Sequence, residues 1–245
     1  MSGRILRLSL ATVLVLTAAH PAAAQDISIN LGQGTGLTER VVQLVALLTV
    51  LSVAPSILVM VTAFTRIVVV LSLLRTALGT ATAPPNSVII SLALFLTVFV
   101  MGPAFQRAYD QGIKPLVANE IEPEQAFQRS SEPFRGFMLK NVREKDLKLF
   151  VDLSHQDRPE RAEETSLAVL IPAFMISELK RAFEIGFLLF LPFLIIDLVV
   201  ASVLMSMGMM MLPPVVVSMP FKLIFFVLVD GWSLVAGSLV QSYSG

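Results

Sequence analysis

Residues 185–212 read IGFLLFLPFLIIDLVVASVLMSMGMMML, a run of 28 residues in which Asp197 carries the only charge. As a single α-helix this run would be about 42 Å long, which exceeds the roughly 30 Å hydrocarbon core of a membrane. Five methionines lie at its far end, within 205–211, and Pro213-Pro214 follows. The stretch therefore predicts a membrane-embedded helix that ends in a methionine-rich segment before a proline break.

The composition of the whole chain also indicates an integral membrane protein. Of its 245 residues, 55% are hydrophobic and 15% are charged, and the mean hydropathy is +0.79. Soluble domains carry about 25% charged residues. Basic and acidic residues balance at 18 each, so we expect no nucleic-acid partner. The sequence has no cysteine and only two histidines, and we therefore expect neither a metal nor a cofactor.

Residues 1–24 have the pattern of a cleavable secretory signal peptide. Arg4 and Arg7 supply its positive charge, 8–19 is a short apolar region, and three alanines precede the cleavage point. The alternative is a retained membrane anchor, but the apolar region is too short to span a bilayer. Residues 25–40 follow as a polar, glycine-bearing leader.

Four apolar segments predict two helical hairpins, so the expected fold class is an all-α membrane protein. The first hairpin covers 41–105, with Pro55 interrupting its first segment and a turn at 79–86. The second covers 185–245, and 230–232, Asp-Gly-Trp, break its last segment. Proline-broken apolar helices are tolerated where protein or a water-filled cavity surrounds them. A segment therefore need not cross lipid once the chain is part of an assembly.

Residues 106–184 are predicted to form a small helical insertion outside the membrane. They hold 12 of the 18 basic and 14 of the 18 acidic residues, which we interpret as a solvated face. Pro133 is expected to open an amphipathic helix within the insertion. Its apolar face would comprise Phe134, Phe137, Met138, Val142, Leu149, Phe150 and Leu153.

The charges between the spans predict how the chain is oriented. Arg66 and Arg75 follow the first span and Lys222 follows the third, with no acidic residue in either turn. Under the positive-inside rule these turns face the cytoplasm, and the insertion at 106–184 faces the periplasm. The predicted signal peptide gives the same orientation independently.

Asp197 is the first candidate for a functional polar residue. A carboxylate within an apolar run is costly unless it is paired, protonated or hydrated. Lys222 could pair with Asp197 or with Glu178, within one chain or between copies, or could extend to the membrane interface. A neutral Asp197 bonded to nearby backbone is the structural alternative, and a proton relay in a transporter is a further hypothesis.

The methionine segment is the second candidate. Gly208 within it and Pro213-Pro214 after it favour a loop or a frayed helix end, and thioether side chains are flexible enough to deform and reseal. Large apolar side chains that project into a pore exclude water and ions by dewetting. The alternative is ordinary gap-filling between packed helices.

Enzymatic hypotheses have little support in the sequence. The predicted membrane segments contain no histidine, and the chain has no Walker A motif. An intramembrane aspartyl protease would need two carboxylates, such as Asp197 and Asp230, but no G-x-G-D context surrounds either. We therefore do not expect an enzyme.

Several motifs along the chain together resemble one known family. They are TAFTR at 62–66, APPN at 83–86, SELK at 177–180, the long apolar core at 192–214 and VLVDGW at 227–232. In combination they resemble the FliP/SctP family of type III secretion export-gate subunits, from about residue 44 to the C-terminus. The signal peptide and the long insertion favour the flagellar branch over the alternative, a virulence-type injectisome homologue.

The resemblance implies a core subunit of the flagellar protein export gate in the basal body and the inner membrane. Such a subunit assembles with FliQ, FliR and further FliP copies, expected as a pentamer, into a channel for unfolded flagellar subunits. FlhB and the rod base are expected contacts, with FlhA nearby and membrane lipid around the assembly. The resemblance also assigns roles: a pore gasket of Met209, Met210 and Met211 supported by Met205 and Met207, and inter-subunit or gating polar contacts of Glu178, Asp197 and Lys222.

Overall fold

The computed structural model describes residues 37–80, 82–154, 161–209 and 211–244. All regular secondary structure in these ranges is helical, which confirms the predicted all-α class for this part of the chain. The predicted signal peptide and residues 25–36 of the predicted leader lie outside the described residues. We number the helices of the described ranges in chain order: α1 (Leu37–Met60), α2 (Phe64–Ala77), α3 (Asn86–Ala108), α4 (Lys114–Val117), α5 (Pro123–Asn141), α6 (Glu144–Leu153), α7 (Leu167–Ser206), α8 (Pro214–Leu228) and α9 (Gly231–Gln241).

Three of the described helical stretches are long and apolar enough to cross a membrane: 41–60, 86–117 and 167–206. The pair α8 and α9 would count as a fourth span if the two helices are taken together. A short break between them bends the pair by 64°. Asp230 occupies this break in the left-handed region at φ +49°, a conformation that aspartate tolerates better than most residues. Gly231 follows because a Cβ there would lie 2.1 Å from the Phe226 ring. The predicted break is thus confirmed at Asp230, whereas Gly231 and Trp232 already belong to α9.

The first apolar segment differs from its prediction in two details. Pro55 lies inside α1, which continues without a break to Met60. Arg66, expected in the turn after the first span, lies instead in the first turn of α2, because α1 already stops at Met60. In an apolar environment a helix is the simplest way to satisfy backbone polar groups, which explains why one proline is accommodated without ending α1.

α7 is one continuous helix of 40 residues, about 60 Å long. It starts well before Ile185, where the sequence suggested that the second apolar run begins. The charged residues between the two parts do not interrupt it, because Glu178 is buried in an ion pair and Lys180 lies 3.7 Å from Glu184 one turn away. Pro172 and Pro192 both lie within the helix.

The amphipathic helix of the insertion starts earlier than predicted. α5 begins at Pro123, in the first turn, where the missing N–H of proline has no helical acceptor to lose. Pro133 therefore lies inside α5 and does not open a helix. The predicted apolar face is divided between two helices: Met138 of α5 is buried, whereas Leu149 and Leu153 of α6 are exposed.

α2 is central to the packing of residues 51–244. One face of α2 places Ile67, Val70, Leu71 and Leu74 in the core at helical spacing, and this helix packs against both α7 and α3. Gly186 permits a close approach between α2 and α7, since a Cβ at this position would lie 2.3 Å from Cδ1 of Leu73.

Candidate functional site

Two ion pairs join distant parts of the chain, and the first lies where α2 begins. Arg66 and Glu178 are both fully buried. Nε of Arg66 donates to Oε2 of Glu178 at 2.9 Å, and Nη2 donates to Oε1. This bidentate geometry matches the planar guanidinium to the carboxylate, so the charge of Glu178 is neutralised within the chain.

The C-terminal residues complete this first cluster. Nη1 of Arg66 donates to the carbonyl and the hydroxyl of Ser242, at 3.2 and 2.9 Å. The Tyr243 ring covers the guanidinium, with 3.8 Å between Cζ and the ring centroid, and its hydroxyl donates to Glu178. Every nitrogen of the guanidinium that carries hydrogen therefore has a partner.

The second ion pair lies where α2 ends. Nζ of Lys222 donates to Oδ2 of Asp197 at 2.6 Å and to the carbonyl of Ala77 at 3.1 Å. The Ser218 hydroxyl donates to Oδ1 of Asp197. The Lys222 side chain is buried, whereas a quarter of the Asp197 side chain is exposed. A cation is favourable at this place because the carbonyls at the end of a helix carry partial negative charge.

Together the two clusters fix both ends of α2 to the helices that carry the second apolar region. Arg66 connects the first turn of α2 to Glu178 of α7, and Lys222 connects its last turn to Asp197 of α7. The donor of the second connection comes from α8, so α2, α7 and α8 meet at one polar point. A shift of α2 along α7 would break the Arg66–Glu178 ion pair and the hydrogen bond from Lys222 to the Ala77 carbonyl at once.

A third polar cluster attaches α6 to α7. The Ser177 hydroxyl donates to Asp146 at 2.6 Å, and Arg143 donates to both oxygens of the same carboxylate at 2.8 Å. Burial by itself raises the pKa of Asp146, but the hydrogen bonds from Ser177 and Arg143, with the charges of Arg143 and Lys180, together hold this pKa below its ordinary value. Asp146 is thus a buried carboxylate stabilised in its charged form.

The methionine segment ends α7 in a defined turn. The N–H of Gly208 donates to the carbonyl of Met205 at 3.1 Å, and the N–H of Met209 donates to that of Leu204 at 3.0 Å. Gly208 has φ +73°. This pair of bonds around a left-handed glycine is a Schellman motif. The predicted loop or helix end is therefore confirmed for the described residues, and α8 starts after it at Pro214.

The described methionines of this segment are exposed in the single chain. Met205, Met207 and Met209 are exposed, and Met211 is 97% exposed. Met210 lies outside the described residues. Exposed large apolar side chains at the tip of a helical pair are typical of a surface that other molecules cover. Gap-filling between helices of the same chain, the alternative raised by the sequence, does not describe these four side chains.

The described residues show no arrangement suited to metal binding. Within these ranges, no group of three or more histidine, cysteine, aspartate or glutamate side chains could hold an ion. The carboxylates that the sequence singled out, Glu178 and Asp197, are occupied by Arg66 and Lys222.

Comparison with known proteins decides the family. The family model described as the FliP family matches residues 47–239. The chain belongs to the FliP family. It is 66% identical to the flagellar biosynthetic protein FliP of Caulobacter vibrioides, over 94% of this chain and 87% of that protein. The proteins of the same name from Bacillus subtilis and Aquifex aeolicus are 56% and 49% identical, over 82% and 95% of this chain and 91% and 98% of their own lengths.

The structure of this FliP-family chain chooses between the pairings that the sequence left open. Lys222 pairs with Asp197 within the chain, and Glu178 pairs with Arg66 instead. The roles of Ser218, Ser242 and Tyr243 were missed because serine and tyrosine carry no formal charge and attract no notice in an apolar sequence. The carboxylate of Asp146 was missed because the insertion is rich in charge, which hides one buried carboxylate among many solvated ones.

The buried pairs also weaken the sequence argument on orientation. Arg66 and Lys222 were counted as loop charges, but both lie inside helices and are neutralised by buried or half-buried carboxylates. Arg75 remains near a turn, where Nη1 donates to Asn86 and to the carbonyl of Pro84. The positive-inside count for this FliP-family chain therefore rests on fewer charges than the sequence suggested.

Proposed function

We propose that this chain is a core subunit of the flagellar type III protein export gate, forming with FliQ and FliR a channel that passes unfolded flagellar subunits across the inner membrane. Membership of the FliP family and the flagellar name of its relatives support this proposal. The single observation that carries it furthest is the methionine segment, which presents exposed thioether side chains at the tip between α7 and α8. No feature of the described residues favours a catalytic role.

The methionine segment acts as a gasket when several copies bring it to a common axis. Met209, Met210 and Met211 form the constriction, and Met205 and Met207 support it from the end of α7. Unbranched thioethers pack closely without a fixed shape, so they exclude water and ions at rest and part around a polypeptide. One copy cannot close a ring, which agrees with the exposure of Met205, Met207, Met209 and Met211 here.

The remaining partners follow from the same role. Five copies surround the channel, FlhB contacts the gate, FlhA lies nearby and the rod base meets the outer end. The two apolar helical hairpins, 41–105 and 185–245, form the wall of the assembly, and the insertion at 106–184 lies on the periplasmic side. We favour the flagellar system over an injectisome because the relatives compared above are named flagellar biosynthetic proteins.

The polar contacts of Glu178, Asp197 and Lys222 position the gate in this proposal. Lys222 pairs with Asp197 at 2.6 Å and also holds the end of α2. An aspartate that already neutralises a lysine is better suited to fixing helices than to carrying protons, so this geometry favours a positioning role over a proton relay.

The gasket is tested by replacing Met209, Met210 and Met211 together with alanine. We expect the assembled complex, reconstituted in liposomes, to leak ions several-fold faster. Alanine side chains are shorter, so the constriction is wider and excludes water and ions less well. Export of flagellar subunits in cells should continue. Met60→Ala is the matched control, since Met60 is exposed but lies in α1. If the triple variant leaks ions no faster than the parent, the gasket is contradicted.

A further inference from the structure

The end of the chain completes a buried charge cluster that two earlier helices begin. Glu178 accepts from two nitrogens of Arg66 and leaves Nη1 without a partner from either α2 or α7. Ser242 supplies both acceptors for that nitrogen. A buried guanidinium N–H that lacks an acceptor is costly, so the C-terminal residues are required for full satisfaction of the cluster.

Tyr243 separates this cluster from an adjacent cleft. A cleft of about 700 Å³ is lined by Tyr243 and Ser244 together with residues of α3 and α5, but neither Arg66 nor Glu178 lines it. The Tyr243 ring lies over the guanidinium on one side and stacks on Phe137 at 5.7 Å. The Tyr243 ring therefore both covers the guanidinium and lines the cleft, with Phe137 beside it.

The position of Tyr243 continues the buried face of α9. Gly231, Val235 and Leu239 are buried at intervals of four residues, and Tyr243 is the next position in the series. Arg66 and Ser242 are 176 residues apart in sequence. The cluster is thus complete only when the last residues of the chain have packed onto its first core helix.

We propose that Ser242–Ser244 is a latch that closes over the Arg66–Glu178 ion pair and locks the start of α2 to α7. With the latch open, Nη1 of Arg66 loses its acceptors and water from the cleft reaches the ion pair. The start of α2 then loosens, while its far end stays held by the bond from Lys222 to Ala77. This latch goes beyond the proposed export function and does not rest on it.

The test uses buried cysteine reporters in the full chain, which has no native cysteine. Ala63→Cys and Ala77→Cys place one reporter at each end of α2, and both alanines are fully buried. Each is combined with Tyr243→Ala and labelled with a membrane-permeant maleimide in isolated membranes. We expect labelling at position 63 to accelerate by roughly tenfold or more, as for a local opening, with position 77 remaining protected. A chain ending at Gln241 should give the same pattern.

The control variant is Tyr109→Ala, which removes the other tyrosine of the chain from an exposed position. It should leave both reporters protected. Protection of position 63 in the Tyr243→Ala chain would overturn the latch. Equal acceleration at positions 63 and 77 would also overturn it, because Tyr243 would then contribute to overall stability and not to a local closure.

Discussion

At the scale of single residues, the two buried ion pairs differ in how completely their polar atoms are satisfied. Arg66 has an acceptor for each of its three nitrogens, whereas Lys222 has two acceptors for its ammonium group. The Asp197 side chain keeps a quarter of its surface exposed. Breaking such a pair by removing one partner is typically more destabilising than replacing both, because a lone buried charge remains.

Exchanging the charges of the second pair tests its geometry. We expect Asp197→Lys and Lys222→Asp each to reduce the amount of chain in the membrane strongly, since each places like charges together. The double variant should recover only part of the loss, because a carboxylate at position 222 would face the Ala77 carbonyl that Lys222 now contacts. Immunoblotting of isolated membranes and thermal unfolding in detergent provide the measurements. Lys222→Arg is the control that keeps the charge, and complete recovery in the double variant would show that the Ala77 contact contributes nothing.

The sequence could predict one of these pairs and not the other, for a physical reason. Asp197 and Lys222 are nearly the only charges in the second apolar region, so each had few possible partners. Arg66 and Glu178 are 112 residues apart, and Arg66 lies next to a break between two apolar helices. An arginine at such a place is as typical of a membrane boundary as of a buried pair.

At the scale of helices, proline and glycine have different effects in this chain. Pro55, Pro133, Pro172 and Pro192 all lie within helices. The chain breaks instead at 207–213 and 229–230, where Gly208 and Asp230 adopt positive φ. Where most side chains are apolar, the backbone has few hydrogen-bond partners other than its own helix. Residues with positive φ therefore mark the helix breaks at these two places better than isolated prolines do.

The attachment of α6 to α7 should depend on pH. The pKa of Asp146 is lowered in the folded chain, so its carboxylate contributes stability above its unfolded value, near 3.8, that is lost as the pH falls through the lower folded value. We therefore expect no change between neutral pH and about pH 5, and loosening of α6 in stronger acid. Hydrogen exchange of residues 144–153, corrected for the intrinsic exchange rate at each pH, measures this.

Asp146→Asn gives the matched comparison for this pH dependence. Its neutral side chain mimics the protonated acid, so α6 should already exchange faster at neutral pH and respond less to acid. Glu144→Gln, at an exposed position of the same helix, should behave like the parent. If the hydrogen-exchange protection of α6 changes with pH identically in the parent and in Asp146→Asn, this carboxylate is excluded as the cause.

At the scale of the whole molecule, residues 51–244 keep a large apolar surface uncovered. Phe95 and Phe99 of α3 are 73% and 72% exposed, and Phe187 and Ile195 of α7 are also well exposed. Such surface contacts either lipid or other subunits. Composition and periodicity were enough to predict the fold class and the apolar segments. The neighbours that cover this surface in an assembly are not specified by the sequence of one chain.

A charge on this surface should prevent stable membrane integration. We expect Phe95→Arg to reduce carbonate-resistant membrane association sharply, because an arginine near the centre of a span costs about 2.5–3.5 kcal/mol on insertion scales. Phe127→Arg is the control, since Phe127 is equally exposed but lies in α5 of the charged insertion. Fractionation and alkaline extraction of membranes compare the two variants. Equal membrane retention of both would mean that the Phe95 side of α3 faces water.

Pro192 of α7 lies between the two carboxylates that anchor α2, Glu178 on one side and Asp197 on the other. Because proline has no N–H, the carbonyl of Leu188 loses its usual donor at this point, and a helix is softest to bending where such a bond is missing. Pro192 thereby divides α7 into two parts that can bend relative to each other, one carrying Glu178 and the other carrying Asp197. Movement of the part that ends in the thioethers would reach the Asp197–Lys222 ion pair first, and bending at Pro192 would limit how much of it reaches the Arg66–Glu178 ion pair.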